Sequence, residues 1–80
     1  MNIRSVESAT LLAVGYDETR EILQLEFRSR AVYRYFGVPG PVYESLVASD
    51  SKGRYFNGAI RGRFPHSVVL ETNAGLRGEA

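Results

Sequence analysis

The sequence contains no cysteine. That absence excludes disulfides, thiolate metal sites, iron–sulfur clusters and cysteine nucleophiles, and it fits a cytoplasmic protein. Histidine is nearly absent too: His66 stands alone. One imidazole cannot build a histidine-rich metal site, and a Ser-His-Asp triad would have to be built on this residue. Pro65-His66-Ser67 reads as a turn, so His66 is expected to be an exposed loop residue and not a catalytic base. No P-loop, no G-x-G-x-x-G after a strand and no H-E-x-x-H occurs. No apolar run approaches the ~18 residues needed to cross a bilayer. No signal-peptide pattern opens the chain. These absences lead to the expectation of a cytoplasmic domain that is not an enzyme, takes no cofactor and no metal, and does not enter a membrane.

What is present is ordinary for a small globular domain. The chain has 80 residues, 44% of them apolar and 24% charged. That length allows one domain, here taken as 1–80, and the composition is too apolar for disorder. A domain this small buries only roughly 60–65% of the surface that its unfolded chain exposes, so its stability margin is thin.

The net charge of +1 hides an asymmetry. Residues 1–27 carry Arg4 and Arg20 against Glu7, Asp17, Glu18, Glu21 and Glu26, a net −3. Residues 28–63 carry Arg28, Arg30, Arg34, Lys52, Arg54, Arg61 and Arg63 against Glu44 and Asp50, a net +5. Nine of the ten basic residues are arginine. Arginine offers a planar fork that fits phosphate and stacks on bases, which lysine does less well.

Periodicity supplies the elements. Residues 1–7 read as a loose lead-in and residues 9–16 as a first strand. Asp17-Glu18-Thr19-Arg20 makes a polar turn. In residues 21–28, Leu23, Leu25 and Phe27 alternate with Gln24, Glu26 and Arg28, the pattern of a half-buried strand. Residues 31–36 are rich in strand formers. Gly37-Val38-Pro39-Gly40-Pro41 ends the sheet, and Pro41 suits the first position of a helix. Val42, Tyr43, Leu46 and Val47 share one helical face. Ser51 can cap a second helix, in which Tyr55, Phe56, Ala59 and Ile60 repeat that spacing and Gly62 is a plausible stop. Ser67–Thr72 could add a short strand, and residues 73–80 read as a flexible tail. The order predicts an α+β fold, a three- to four-stranded antiparallel sheet with two short helices on one face. A small barrel is the alternative.

Several stretches together resemble the KTSC domain. They are Val14-Gly15-Tyr16-Asp17, Leu23-x-Leu25-x-Phe27, Tyr33-Arg34-Tyr35 followed by Val38-Pro39, Ser51-Lys52-Gly53-Arg54-Tyr55-Phe56-Asn57, and Ile60-Arg61. The resemblance covers a core of about residues 8–65. That family takes its name from the C-terminal extension of some lysyl-tRNA synthetases and also occurs as a stand-alone small bacterial protein. Its function is not established; the synthetase context implies RNA, tRNA-like, as the target. It carries over no catalytic residue. Arg30 stands where that family usually has glycine, Ser49 where it has alanine, and Phe64 where it has tyrosine.

Three constellations can carry function. Tyr33 and Tyr35 lie two apart on a strand and share a face, about 6.6 Å apart along it. Exposed, they could stack successive bases; buried, they fill the core. The loop after Phe27 decides. A three-residue loop, Arg28-Ser29-Arg30, sets Leu25 opposite Tyr33 and turns both tyrosines to the apolar face. A two-residue loop sets Glu26 opposite Tyr33 and turns them to the polar face, because a one-residue slip flips every side chain. The family's glycine at position 30 suits the end of a three-residue loop. Second, Ser51, Lys52 and Gly53 present free N–H groups, a hydroxyl and an ammonium at a helix start, which can hold a phosphate or simply cap the helix. Third, Arg54 and Arg61 are seven apart and share a helical stripe. With Arg63, Lys52 and Arg34 they form a candidate anion-binding surface, or an ordinary solvated one. Two partners follow from these features: an RNA, or a protein with an acidic surface, including a second copy of the chain.

Overall fold

A computed structural model describes residues 1–70. Its elements run β1 (Asn2–Ser5), β2 (Leu11–Asp17), β3 (Ile22–Phe27), β4 (Val32–Phe36), α1 (Gly40–Ala48), α2 (Lys52–Ala59) and β5 (His66–Leu70). The strands form one five-stranded sheet in the order β1-β2-β3-β4-β5, and every neighbouring pair is antiparallel. The class is therefore the expected α+β, with more strands than the three or four expected. The extra strand is β1, which lies where a loose lead-in was expected. All four of its residues are exposed, so it shows no alternation and holds its place by backbone pairing with β2. The expected tail at 73–80 lies outside the described residues.

The local chemistry explains the connections. The Asp17 carboxylate accepts from the N–H groups of Thr19 and Arg20, the side-chain turn that aspartate favours. Phe27 N–H donates to Ala31 C=O at 2.9 Å, so the next hairpin loop has three residues, Arg28-Ser29-Arg30. Arg30 closes it in the left-handed region at φ 79°. A side chain there costs about 1 kcal/mol, which is why glycine would suit the position. At β2 the register shifts between Leu11 and Ala13, a bulge that makes Leu12 the extra residue. It lets Leu11 and Val14, three apart, both face the core.

The two helices pack on one face of the sheet. Leu11, Val14, Leu23, Leu25, Tyr35, Val38, Leu46, Phe56 and Ile60 make up the buried cluster. Tyr16 stacks on Tyr43 of α1, with centroids 4.7 Å apart and rings 8° from parallel, and its hydroxyl donates to Val38 C=O. The opposite face carries no helix. Register places Ala13, Gly15, Gln24, Glu26, Val32 and Arg34 there. Ile3 lies over Gly15 on that side, where a Cβ would collide with the Ile3 side chain.

Ser51 occupies the N-cap position of α2, yet its side chain makes no capping bond, contrary to expectation. Its N–H is taken by Ser49 Oγ instead. The backbone ends α2 at Ile60, and Gly62 follows at φ 75°. His66 opens β5, so the expected loop residue is a strand residue. Its register partner is Tyr35, which turns it to the helix-side face.

Candidate functional site

The three-residue loop settles the parity of the tyrosines. Leu25 pairs with Tyr33 and Leu23 with Tyr35, so both rings lie on the helix side. They do not share a fate there. Tyr35 is 5% exposed and belongs to the core, whereas Tyr33 is only half-buried at its edge. Beyond the edge of α2, the helix-side face of β4 and β5 opens into a groove of about 440 Å³.

Five aromatic residues line that groove and touch one another in a closed circuit. Ring centroids are 5.8 Å apart for Phe27–Tyr33, 5.7 Å for Tyr33–His66 and 5.3 Å for His66–Tyr35. Tyr35–Phe56 at 5.6 Å and Phe56–Phe27 at 5.3 Å complete it. The contacts with Phe27 and Phe56 are edge-to-face, the favourable arrangement for ring quadrupoles. Ser29, Ala31, Arg61 and Gly62 supply the rest of the lining. Burial pushes the Tyr35 hydroxyl above its ordinary pKa, neighbouring Tyr33 adds to the shift, and the Arg61 guanidinium opposes it. The hydroxyl therefore stays protonated and neutral at physiological pH, and Arg61 is the local positive charge.

The candidate anion-binding residues are divided among several places. Ser51, Lys52, Gly53 and Arg54 line a second cleft of about 400 Å³ at the start of α2, together with Ser8, Ala9, Thr10, Asp50 and Asn57. Lys52 Nζ donates to Ser49 C=O at 2.9 Å, so the ammonium is already engaged by its own helix start. A Cβ at Gly53 would collide with Thr10 Oγ1, so the glycine there lets α2 approach the β1–β2 loop. The Asp50 carboxylate shares this cleft and opposes an anion. Arg61, one stripe along from Arg54, lines the aromatic groove instead. Arg63 is exposed in the connection to β5. Arg34 sits on the helix-free face of the sheet, where its Nε donates to Gln24 Oε1 at 2.8 Å. It cannot share a surface with α2.

Where arginine side chains make hydrogen bonds, the partners are neutral. Arg28 Nε donates to Ser8 C=O at 2.6 Å, Arg34 to Gln24, and Arg61 Nη1 reaches Asn57 Oδ1 at 3.5 Å. Among the described residues these contacts position the charge and do not neutralise it. Among the described residues, no group of three or more His, Asp or Glu is placed to hold a metal ion, and no helix is long and apolar enough to cross a membrane.

Phe27, Phe56 and His66 were not among the candidate residues. The two phenylalanines read as core from periodicity, and they do pack against it. His66 reaches the site only through the pairing of β5 with β4, a contact between segments far apart in the chain.

Comparison with known proteins adds a consistent set of relatives. Residues 7–64 match the model of the KTSC domain. The chain is 42% identical over 62 residues to a protein of Tsukamurella paurometabola, covering 78% of this chain and 92% of that one. It is also 42% identical over 63 residues to a lysine–tRNA ligase of a Nostoc species, covering 79% of this chain but 11% of the ligase. Among solved structures, it is similar to a KTSC domain protein from Yersinia pestis, with TM-score 0.83 and 33% identity over 86% of this chain and 97% of that one.

Proposed function

The chain belongs to the KTSC domain family, and from that premise we propose that it is a small non-enzymatic RNA-binding module whose target is tRNA-like. The observation that carries this reading is the set of arginines whose charge is not paired, placed at both ends of α2 and beside it. Among the described residues, Arg28 and Arg61 bond to neutral atoms and Arg54 makes no side-chain hydrogen bond. Sequence supports it further, since no acidic residue occurs between Asp50 and Glu71. A lysine–tRNA ligase carries a segment similar to this chain, and such an enzyme handles tRNA. Arg54, Arg61 and Arg63 would meet phosphates, with Lys52, Ser51 and Gly53 at the helix start. Arg34 would act separately, on the other face. A cytoplasmic setting goes with a tRNA partner.

The test is binding of bulk tRNA at two salt concentrations, followed by ¹⁵N NMR. Phosphate contacts release counterions, so the log–log salt slope is expected at about −0.7 per contact on single strands and about −0.9 on duplex. Shifts should cluster on Lys52–Arg63. Arg54→Gln and Arg61→Gln should each flatten the slope by about one contact. A binding isotherm indifferent to salt, or no binding at low salt, would sink the proposal.

A second reading, a protein-interaction module, is favoured by one observation. Ile3, Phe36 and Leu70, all at least 36% exposed, share the helix-free face of the sheet. Sedimentation at high concentration and low salt tests its self-association form, which fails if the protein stays monomeric.

A further inference from the structure

We propose that the aromatic groove seats a single unstacked nucleobase of a single-stranded RNA segment, laid over Tyr33 and His66, with an adjoining phosphate on Arg61. This rests on the RNA reading and names which part of the RNA the open half of the sheet takes.

The lining fits that occupant on three counts. Its volume, about 440 Å³, lies at the lower end of small-ligand sites and is suited to one nucleotide. Its chemistry is aromatic wall with polar edges: the rings of Tyr33 and His66, the hydroxyls of Tyr33 and Ser29, and the imidazole nitrogens. A base has a π-face to stack and a hydrogen-bonding edge to satisfy, and this wall offers both. Its charge is the Arg61 guanidinium, held beside the rings and reaching no closer than 3.5 Å to Asn57 Oδ1. A neutral aromatic ligand would have no use for that charge; a nucleotide does.

The geometry also says how the base would lie. The Tyr33 and His66 centroids are 5.7 Å apart and their rings are tilted by 46°. Inserting a base between two rings needs about 7 Å, twice the contact distance between carbon atoms. The base therefore lies over the pair and does not intercalate. Tyr33 and His66 project from paired strands, and buried Tyr35 and Phe56 close the circuit behind them, so the platform is formed before the ligand arrives. A duplex keeps its bases stacked inside and cannot present one to a recessed wall.

The experiment compares three probes on the full chain: a six-nucleotide oligoadenylate, an abasic oligonucleotide with the same phosphates, and an RNA duplex. The ring resonances of Tyr33 and His66 are followed by NMR. The expected result is that oligoadenylate shifts both rings and binds about 5- to 150-fold more tightly than the abasic strand, the range that stacking one base supplies. His66→Ala and Tyr33→Leu should lower oligoadenylate binding and leave abasic binding unchanged. His66 is exposed, so its variant tests the seat even if Tyr33→Leu folds poorly. If oligoadenylate and the abasic strand bind alike with no ring shifts, the base seat is overturned while phosphate binding stands. Tighter duplex binding than single-strand binding overturns the seat as well. If no probe binds at low salt, the RNA reading itself has failed and the seat fails with it.

Discussion

One face of the sheet is built in two ways. At the middle of β2 and β3 it is aliphatic and closed: Val14, Leu23 and Leu25 join Leu46 of α1 and Ile60 at the end of α2 in the core, and none is more than 1% exposed. Over β4 and β5 it is aromatic and open: Tyr33 is half-buried and His66 exposed, and a groove runs along them. Neighbouring strands of one sheet, β3 and β4 paired in register, carry the two halves. The difference teaches that facing the helix side does not by itself make a residue core. Leucine and isoleucine interlock and exclude water, whereas tyrosine and histidine have polar edges that suit a boundary with solvent. Tyr35 and Phe56 form the seam between the halves, buried yet in contact with the open rings.

The sharpest way to break this comparison is to truncate both halves. Leu25→Ala removes a fully buried side chain from the closed half, and it is expected to cost about 2–5 kcal/mol, enough to endanger a domain of 80 residues. Tyr33→Leu in the open half should cost about 1 kcal/mol. Urea denaturation of the two variants measures both, and equal losses would show that the halves are one core.

Alkaline titration probes the seam. Burial raises the pKa of Tyr35, and it does the same for Tyr16, where Glu21, Glu18 and Asp17 add to the shift. A raised pKa means that the folded state resists ionisation more than the unfolded state does. The stabilisation is therefore complete below the ordinary tyrosine value of 10.0 and is lost as pH climbs through and beyond it. Melting temperatures from pH 9 upward (roughly to pH 11) should fall, and Tyr35→Phe should make the fall shallower. An unchanged slope would place the Tyr35 hydroxyl in water.

Arg30→Gly tests the loop that assigns the tyrosines to the helix side. Glycine relieves the left-handed backbone, so the variant is expected to gain up to about 1 kcal/mol by chemical denaturation. A loss would mean that the Arg30 side chain contributes more than its backbone costs. The smallest effect belongs to Gly58, in the interior of α2, where a Cβ would meet nothing within 4 Å. Gly58→Ala should stabilise the helix by about 0.5–1 kcal/mol. It should leave oligoadenylate binding untouched, which makes it a control for stability alone.

Much of the fold was legible in the chain. The alternation from Leu23 to Phe27 marks a half-buried strand, and Val42, Tyr43, Leu46 and Val47 mark a helix face, because both signals are local. β1 was not legible: exposed Asn2–Ser5 carry no pattern, and their strand character comes from the partner. The bulge at Leu12 was hidden as well, since plain alternation cannot set Leu11 and Val14 on one side. Of the candidate site, the arginines could be named but not grouped. Arg34 and Arg54 both lie in the basic stretch, yet they stand on different sides of the molecule.

By itself, then, the sequence determined the class of fold, the basic middle segment, and the pairing of Tyr33 with Tyr35 on one side of a strand. These follow from composition and short-range periodicity, which every chain segment carries within itself. Tertiary structure decided which side that was, through a three-residue loop whose length a single residue could change. It also decided that His66 and Arg61 meet Tyr33 in one groove. The antiparallel return of β5 onto β4 makes that meeting, and strand pairing between distant segments leaves no mark on either segment alone.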